Sequence, residues 1–328
     1  MNIGIKKGDY VKYEYNSCYY PARIISVSNL IIRMEVCFDK KSKDCEIIEI
    51  DEFDFCKIKT LKGKWFIMKS LVIVDSMNIL HRCFYNKSGF NGYVSYLKKV
   101  FSKYMPSAMI VCSDFKRTCF RNEIYSEYKK NRSEHPIELD NLAMIVEKYL
   151  KAIGVPFLKA KKYEADDLIG SISKQAPKFG YNSYLLSGDT DLYQLINSNT
   201  NYLYIDAKRG ILLMREDEAF NKFSIPPSQY IDFKSLTGDT SDNIPGAKGI
   251  GKINALKLLS KYQTLENIFK SNGKYEDKVN SDKESVLLSK KLVTIKTDIN
   301  MNYEELFEKS QSKHFIKNLN KNPKTFIE

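Results

Sequence analysis

Three short apolar runs, each leading directly or within two residues to an aspartate, constrain the chain more than any other feature. Leu71–Val74, Ser107–Cys112 and Tyr184–Ser187 are apolar along most of their length rather than at alternate positions. A strand wetted on one face alternates, so such runs predict strands covered by helices on both faces of a mainly parallel sheet. Asn141–Ile153 places Leu142, Ile145, Val146, Tyr149, Leu150 and Ile153 at helical spacing. Strand and helix alternating through residues 67–224 predict an α/β domain with flanking helices. From residue 225 to 328 the chain turns helical and lysine-rich. Residues 1–66 differ again. Asp9–Tyr15, Ala22–Ser28, Ile31–Phe38 and Glu46–Ile50 are short runs rich in Val, Ile, Tyr and Phe, which predict a small SH3-like β-barrel serving as an accessory or docking module. Its tyrosines and lysines also suit contact with nucleic acid.

Composition narrows the function classes. Of the 328 residues, 43% are hydrophobic and 28% charged, which excludes wholesale disorder. No apolar run approaches the length of a membrane helix. Met1–Tyr10 carries Lys6, Lys7 and Asp9, so no leader is expected, and a cytoplasmic protein is. The seven cysteines form no Cys-x-x-Cys pair, which argues against a zinc ribbon; Cys18, Cys37, Cys45 and Cys56 are expected as small buried apolar residues. A net charge of +12 favours nucleic acid as partner.

The acids then fall in a telling order. In open α/β sheets, ligands gather beyond the carboxyl ends of the strands. Asp75 follows the first run, Asp114 the second, and Asp189 with Asp191 the third. Each alone could be a helix cap. Glu164, Asp166 and Asp167 open a further helix, and Asp239 and Asp242, three apart, would share a face if helical. Nine converging carboxylates would repel one another strongly, and two Mg²⁺ ions would relieve much of that cost. Hard oxygen donors and only three histidines favour Mg²⁺ or Mn²⁺ over zinc. Two such ions suit hydrolysis of a phosphodiester.

Two features suit phosphate. Gly246, Lys248, Gly249, Gly251 and Lys252 form a glycine-rich turn ahead of the stripe Ala255, Leu258, Leu259. Bare backbone there could approach a phosphate oxygen, which reads as a helix-hairpin-helix gripping a duplex. Arg121, Tyr125, Tyr128, Lys129 and Arg132 fall at helical spacing, with Lys116, Arg117 and Lys130 nearby. Cations interleaved with aromatics suit a single strand, and a solvated amphipathic helix is the alternative.

Together these blocks resemble the 5′ nuclease (flap endonuclease) family, in particular the nuclease domain of bacterial DNA polymerase I and stand-alone phage 5′–3′ exonucleases. The resemblance spans roughly residues 70–310. It rests on Val72-Ile73-Val74-Asp75, on Asp114 with Phe120-Arg121, and on Tyr128-Lys129-Lys130-Asn131-Arg132. It continues through Glu164-Ala165-Asp166-Asp167, Gly188-Asp189-Thr190-Asp191, Gly238-Asp239 to Gly246, and Leu292–Asp298. Ser76 stands where the family usually has glycine, Phe115 replaces a small residue, and Ile253 stands where lysine is frequent.

The resemblance implies a PIN-like core with a helical arch, and metal-dependent cutting of 5′ flaps and of duplex from a 5′ end, with RNA primers or RNA–DNA hybrids as targets in replication or repair. It implies Asp75, Asp114, Glu164, Asp166 and Asp167 around one metal, with Asp189 and Asp191 shared and Asp239 and Asp242 completing a second site. Lys129, Arg132 and Arg121 would serve the chemistry, Tyr128 and Lys116 would meet DNA, and K⁺ would bind near Gly246–Gly251. A monomer is expected, its N-terminal module docking a replication partner. A non-catalytic DNA-structure-binding protein and a PIN-like ribonuclease are the alternatives on the same fold.

Overall fold

The computed structural model describes the backbone of 10–15, 18–27, 32–36, 46–50, 58–61 and 64–67, and residues 69–323 apart from 116–118, 207 and 320. In the N-terminal part, strands β1 (Tyr10–Tyr15), β2 (Cys18–Val27), β3 (Ile32–Val36), β4 (Glu46–Ile50), β5 (Ile58–Leu61) and β6 (Lys64–Ile67) pair in the order β4-β3-β2-β1-β6-β5. All neighbours are antiparallel except β1 and β6. The expected strands are present as backbone, and β5 and β6 are additional. The side chains of this part, including the four cysteines and the tyrosines, lie outside the described residues, as does Lys116.

The second sheet holds β7 (Lys69–Asp75), β8 (Ala108–Cys112), β9 (Phe157–Leu158), β10 (Tyr181–Ser187), β11 (Thr200–Asp206) and β12 (Gly210–Met214) in the order β12-β11-β10-β7-β8-β9. Every pairing is parallel except β11 with β12. The helices are α1 (Ser76–Tyr85), α2 (Gly89–Tyr104), α3 (Phe120–Ile124), α4 (Ile137–Ile153), α5 (Ala165–Gln175), α6 (Glu216–Phe223) and α7 (Tyr230–Thr237). They continue with α8 (Lys252–Tyr262), α9 (Leu265–Phe269), α10 (Glu276–Ser281), α11 (Lys283–Val293), α12 (Tyr303–Lys309) and α13 (Ile316–Leu319).

The apolar runs behave as two-sided strands. Leu71, Ile73, Ile110 and Leu185 face a core shared with α5, while Val72, Val74, Val111, Tyr184 and Leu186 face one shared with α1, α2 and α4. Each fully buried aliphatic side chain contributes about 1.5–3 kcal/mol, so both layers are strongly fixed on the sheet. The C-terminal end returns to this core. Phe315 and Leu319 are fully buried in the second layer, Met109 N–H donates to the Ser310 carbonyl at 2.9 Å, and Ser312 N–H donates to that of Ser107 at 2.8 Å. The helical C-terminal region therefore closes on the α/β unit rather than standing apart from it.

The helical stripe expected through residues 121–132 is not one helix. α3 stops at Ile124, Tyr125 is extended, and turns follow, with Lys129 left-handed at φ 55°. Tertiary bonds override the local pattern. The Asn122 amide donates to the Tyr128 carbonyl at 3.1 Å, and Lys129 N–H donates to the Asp242 carbonyl at 2.9 Å. Asp239–Asn243 is likewise a turn closed by mutual Asp239–Ile244 backbone bonds, not a helix presenting both acids on one face.

Candidate active site

One open cavity lies beyond the carboxyl ends of β7, β8 and β10. Asp75, Asp114, Glu164, Asp166, Asp189, Asp191 and Asp242 line it, together with Lys129, Arg132, Arg121, Tyr128, His81 and His135. Leu292, Val293 and Ile295 form an apolar wall. Several acids also cap helices, so capping and convergence are one arrangement. Asp75 caps α1, accepting from Asn78 N–H at 3.2 Å, and Asp189 accepts from Asp191 N–H at 2.8 Å. Asp114, at the exposed mouth, accepts from Ala165 N–H at 2.7 Å. Asp75 is 6% exposed and is held by the Ser187 hydroxyl, which donates at 2.7 Å.

Crowding shows in the proton affinities. Burial, then the charge of Asp189, pushes the Asp75 carboxyl up to about 7 against the Ser187 and Asn78 bonds. Burial and the same neighbour push Asp191 up to about 6 despite Lys234. Asp166 rises well above the carboxylate range through desolvation and the charges of Asp189, Asp75 and Glu164. Burial also opposes the Glu164 charge, yet Lys129 and Arg121 outweigh it and hold that carboxyl low.

Cations already occupy part of the rim. Lys129 pairs closely with Glu164 and lies 3.7 Å from Asp242, and Arg132 pairs with the other Asp242 oxygen. Burial disfavours the Lys129 ammonium, but Glu164 and Asp242 keep it protonated well above the usual lysine range. Lys234 of α7 bridges Asp191, at 3.0 Å, and Asp239. Among the described residues no three acid, histidine or cysteine side chains close into a ready-made ion cage. Lys129 and Lys234 each stand between two of the carboxylates.

Five of the expected site residues do not open onto the cavity as a ligand or substrate contact would. Asp167 faces away from the cavity. It is fully buried, receives both arms of Arg121 at 2.8 Å, and accepts from the backbone N–H groups of Glu164 and Lys296. Consecutive helix residues point about 100° apart, and here Asp166 faces the cavity while Asp167 faces Arg121. Arg121 is 2% exposed, and its fork is spent on Asp167, Glu164 and the carbonyls of Leu292 and Thr294, so it positions carboxylates rather than meeting a substrate. Tyr128 is 4% exposed with its hydroxyl donating to Glu164 at 3.0 Å, which removes it as an open stacking platform. Asp239 does not line the cavity and reaches it only through Lys234. Gly246 is buried under the hairpin, whereas Lys248, Gly249, Gly251 and Lys252 lie exposed together on the surface.

Sequence reasoning missed Lys234, Gln194 and the His81–His135 pair, whose rings meet edge-on at 4.9 Å on the cavity wall. Lys234 had a weak signal, a lone cation in an apolar helix five residues before Asp239. Gln194 had none. Its amide donates to the carbonyls of Asp191 and Val293, both at 3.0 Å, and accepts from Ile295 N–H.

Comparison with known proteins identifies the family. The family described as 5′-3′ exonuclease, N-terminal resolvase-like domain, matches residues 70–224, and 5′-3′ exonuclease, C-terminal SAM fold, matches residues 225–314. A 5′-3′ exonuclease of Buchnera aphidicola is 34% identical over 255 residues, covering 70% of this chain and 87% of that one. DNA polymerase I of Bacillus caldotenax is 34% identical over 250 residues, and the match spans only 28% of that protein's length. Among solved structures, T5 5′-exonuclease with zinc bound shares the fold, with a TM-score of 0.61 and 22% identity over 79% of this chain and 100% of that one. The T5 D15 flap endonuclease complex with DNA and metal ions gives a TM-score of 0.60 at 23% identity, over 76% of this chain and 97% of that one. With matched segments running without a break from residue 70 to residue 314, the chain belongs to the 5′-3′ exonuclease family.

Proposed function

We propose that this nuclease uses two divalent ions to hydrolyse phosphodiesters in 5′-flap and duplex DNA. The observation that carries the reading is one cavity lined by seven carboxylates, four of them (Asp75, Asp114, Asp166 and Asp191) with raised proton affinity, beside Lys129 and Arg132. An all-oxygen donor set of this charge fits Mg²⁺, with Mn²⁺ able to replace it. Asp75, Asp114, Asp166 and Asp189 would hold one ion, and Asp191 with Asp242, and Asp239 after release of Lys234, the other. The similar T5 D15 protein has been crystallised with metal ions and, in a complex, with DNA and metal ions, which supports both partners.

When bound, the ions would activate water and neutralise the leaving oxygen. The chain's own groups do the rest. Lys129, held at the rim between Glu164 and Asp242, can swing to the scissile phosphate and stabilise its developing charge. Arg132, half-exposed, orients the same phosphate. Glu164 is fixed by Arg121 and Tyr128, so it stays in place when Lys129 leaves it. The wall of Leu292, Val293 and Ile295 keeps bulk water from one side. The exposed turn Lys248–Lys252 grips the duplex backbone, with K⁺ as its companion ion.

The reading extends to residues 1–66 as a barrel-like accessory module that docks a replication partner, 67–224 as nuclease core and 225–328 as the helical DNA-binding region, in a cytoplasmic monomer that removes RNA primers. A substrate panel tests it. A 5′-flap duplex should be cut near its junction and a plain duplex trimmed from the 5′ end, while unstructured RNA should survive. Preferred cutting of single-stranded RNA would instead favour a PIN-like ribonuclease. Tight flap binding with no cutting in Mg²⁺ or Mn²⁺ would favour a structure-binding protein.

A further inference from the structure

Helix α11 is hydrogen-bonded at both ends to parts of the molecule with different tasks. From its N-cap to just past its middle, Asp282 accepts from Lys248 N–H at 2.6 Å, Ser285 donates to the Gly246 carbonyl at 2.7 Å, and Ser289 accepts from Gly246 N–H at 2.9 Å. These are three consecutive grips on the hairpin. At its end, Leu292 and Val293 close the helix, and residues 294–296 leave it as an extended strap along the cavity. The Arg121 guanidinium donates to the Leu292 and Thr294 carbonyls at 2.7 and 3.0 Å while holding Asp167 and Glu164. Gln194 clips Val293 and Ile295 to the backbone of Asp191, and Lys296 N–H donates to Asp167 at 2.8 Å. The strap is therefore stitched alternately to the two carboxylate-bearing elements, α5 and the turn Thr190–Leu195.

We propose that α11 and its strap are a ruler that fixes which phosphodiester of a seated duplex reaches the carboxylates; the proposal rests on the nuclease reading above. From Ser285 to Leu292 the helix is a rod of about 10 Å. Successive phosphates along one strand rise by about 3.4 Å, so slack of a few ångströms at either end of the rod would offer the neighbouring bond to the cavity. Ser285, Ser289 and Gln194 are thus positioning residues that set the register of cutting, and none of them need touch the reacting atoms.

The test uses the full chain, a 5′-labelled flap duplex with a fixed junction, and product length read at single-nucleotide resolution. One variant frees the hairpin end (Ser285→Ala with Ser289→Ala), and the other frees the site end (Gln194→Met, similar in shape and without the amide bonds). Since a misplacement of ~1 Å at a reacting centre can cost about 100-fold in rate, either variant should shift part of the product by one nucleotide to the neighbouring phosphodiesters. A merely structural role would slow every cut alike and leave the pattern intact. If the double serine variant fails to fold, Gln194→Met with a wild-type melting midpoint decides the matter. An unchanged product position in the folded variants overturns the ruler alone, and a wild-type chain that cuts nothing overturns the nuclease reading and the ruler with it.

Discussion

Arg121 and Lys129 are both cations beside Glu164, yet burial assigns them opposite tasks. Removing Arg121 leaves Asp167 charged in a fully enclosed site with only backbone donors. Breaking a buried pair in this way costs about 3–5 kcal/mol, so Arg121→Met should show a loss of that order in denaturant unfolding. Lys129 lies at the open rim, and Glu164 keeps two other donors without it. Lys129→Met should therefore unfold near the wild-type midpoint while kcat on a flap substrate falls about 100-fold or more. An equal loss of stability in both variants would contradict this division. The identities of the acids were legible in the sequence, because a carboxylate after a buried strand has few other places to go. Their orientation was not. Asp166 and Asp167 read alike in sequence, and only the position of Arg121, 46 residues away along the chain, separates them.

Among the elements, the parallel strands and α4 could be read directly, since continuous burial and 3.6-residue spacing are local properties. The antiparallel pair β11–β12 and the turn through residues 125–131 could not, because long-range bonds decide them. The hairpin was legible through its glycines, and the structure now distinguishes their tasks. Gly246 has φ +68°, and a Cβ there would lie 2.4 Å from Gly238 N. Gly246→Ala should thus cost about 1–3 kcal/mol and weaken duplex binding by distorting the turn. Gly251 has φ −87° and nothing within 4 Å of its would-be Cβ. Gly251→Ala should fold normally, so any loss of duplex affinity there, read by fluorescence anisotropy, reports close approach of the DNA backbone itself. Normal affinity in both variants would remove the hairpin from the binding surface.

For the whole molecule, the crowded cavity couples stability to pH and to metal. Asp75 and Asp191 bind protons more tightly folded than unfolded, with folded values of about 7 and about 6 against the ordinary 3.8. Their favourable contribution is complete below pH ~4 and is lost as pH rises through ~6 to 7. In a chelator, the melting temperature should consequently rise on acidification from pH ~7.5 toward ~5. Glu164 and Asp239, whose carboxyls are held low, lose their contribution only further down. Mg²⁺ at neutral pH should restore the stability that protonation supplies in acid, and a flat profile in chelator would contradict the crowding. The closure of the C-terminal end onto the α/β core was invisible in the sequence, where residues 303–319 read only as more helix. Their docking depends on Phe315 finding a slot between α2 and α4.

The proposed activity requires that the carboxylate cavity cut DNA with bound metal. Cleavage of a 5′-labelled flap duplex by the full chain, in Mg²⁺, beside a chelator arm and an Asp189→Asn arm, reads that claim directly. Cutting near the junction is expected in Mg²⁺, none in chelator, and a fall of about 100-fold or more for Asp189→Asn with flap binding retained. Cutting that persists in chelator, or that survives Asp189→Asn undiminished, would contradict it.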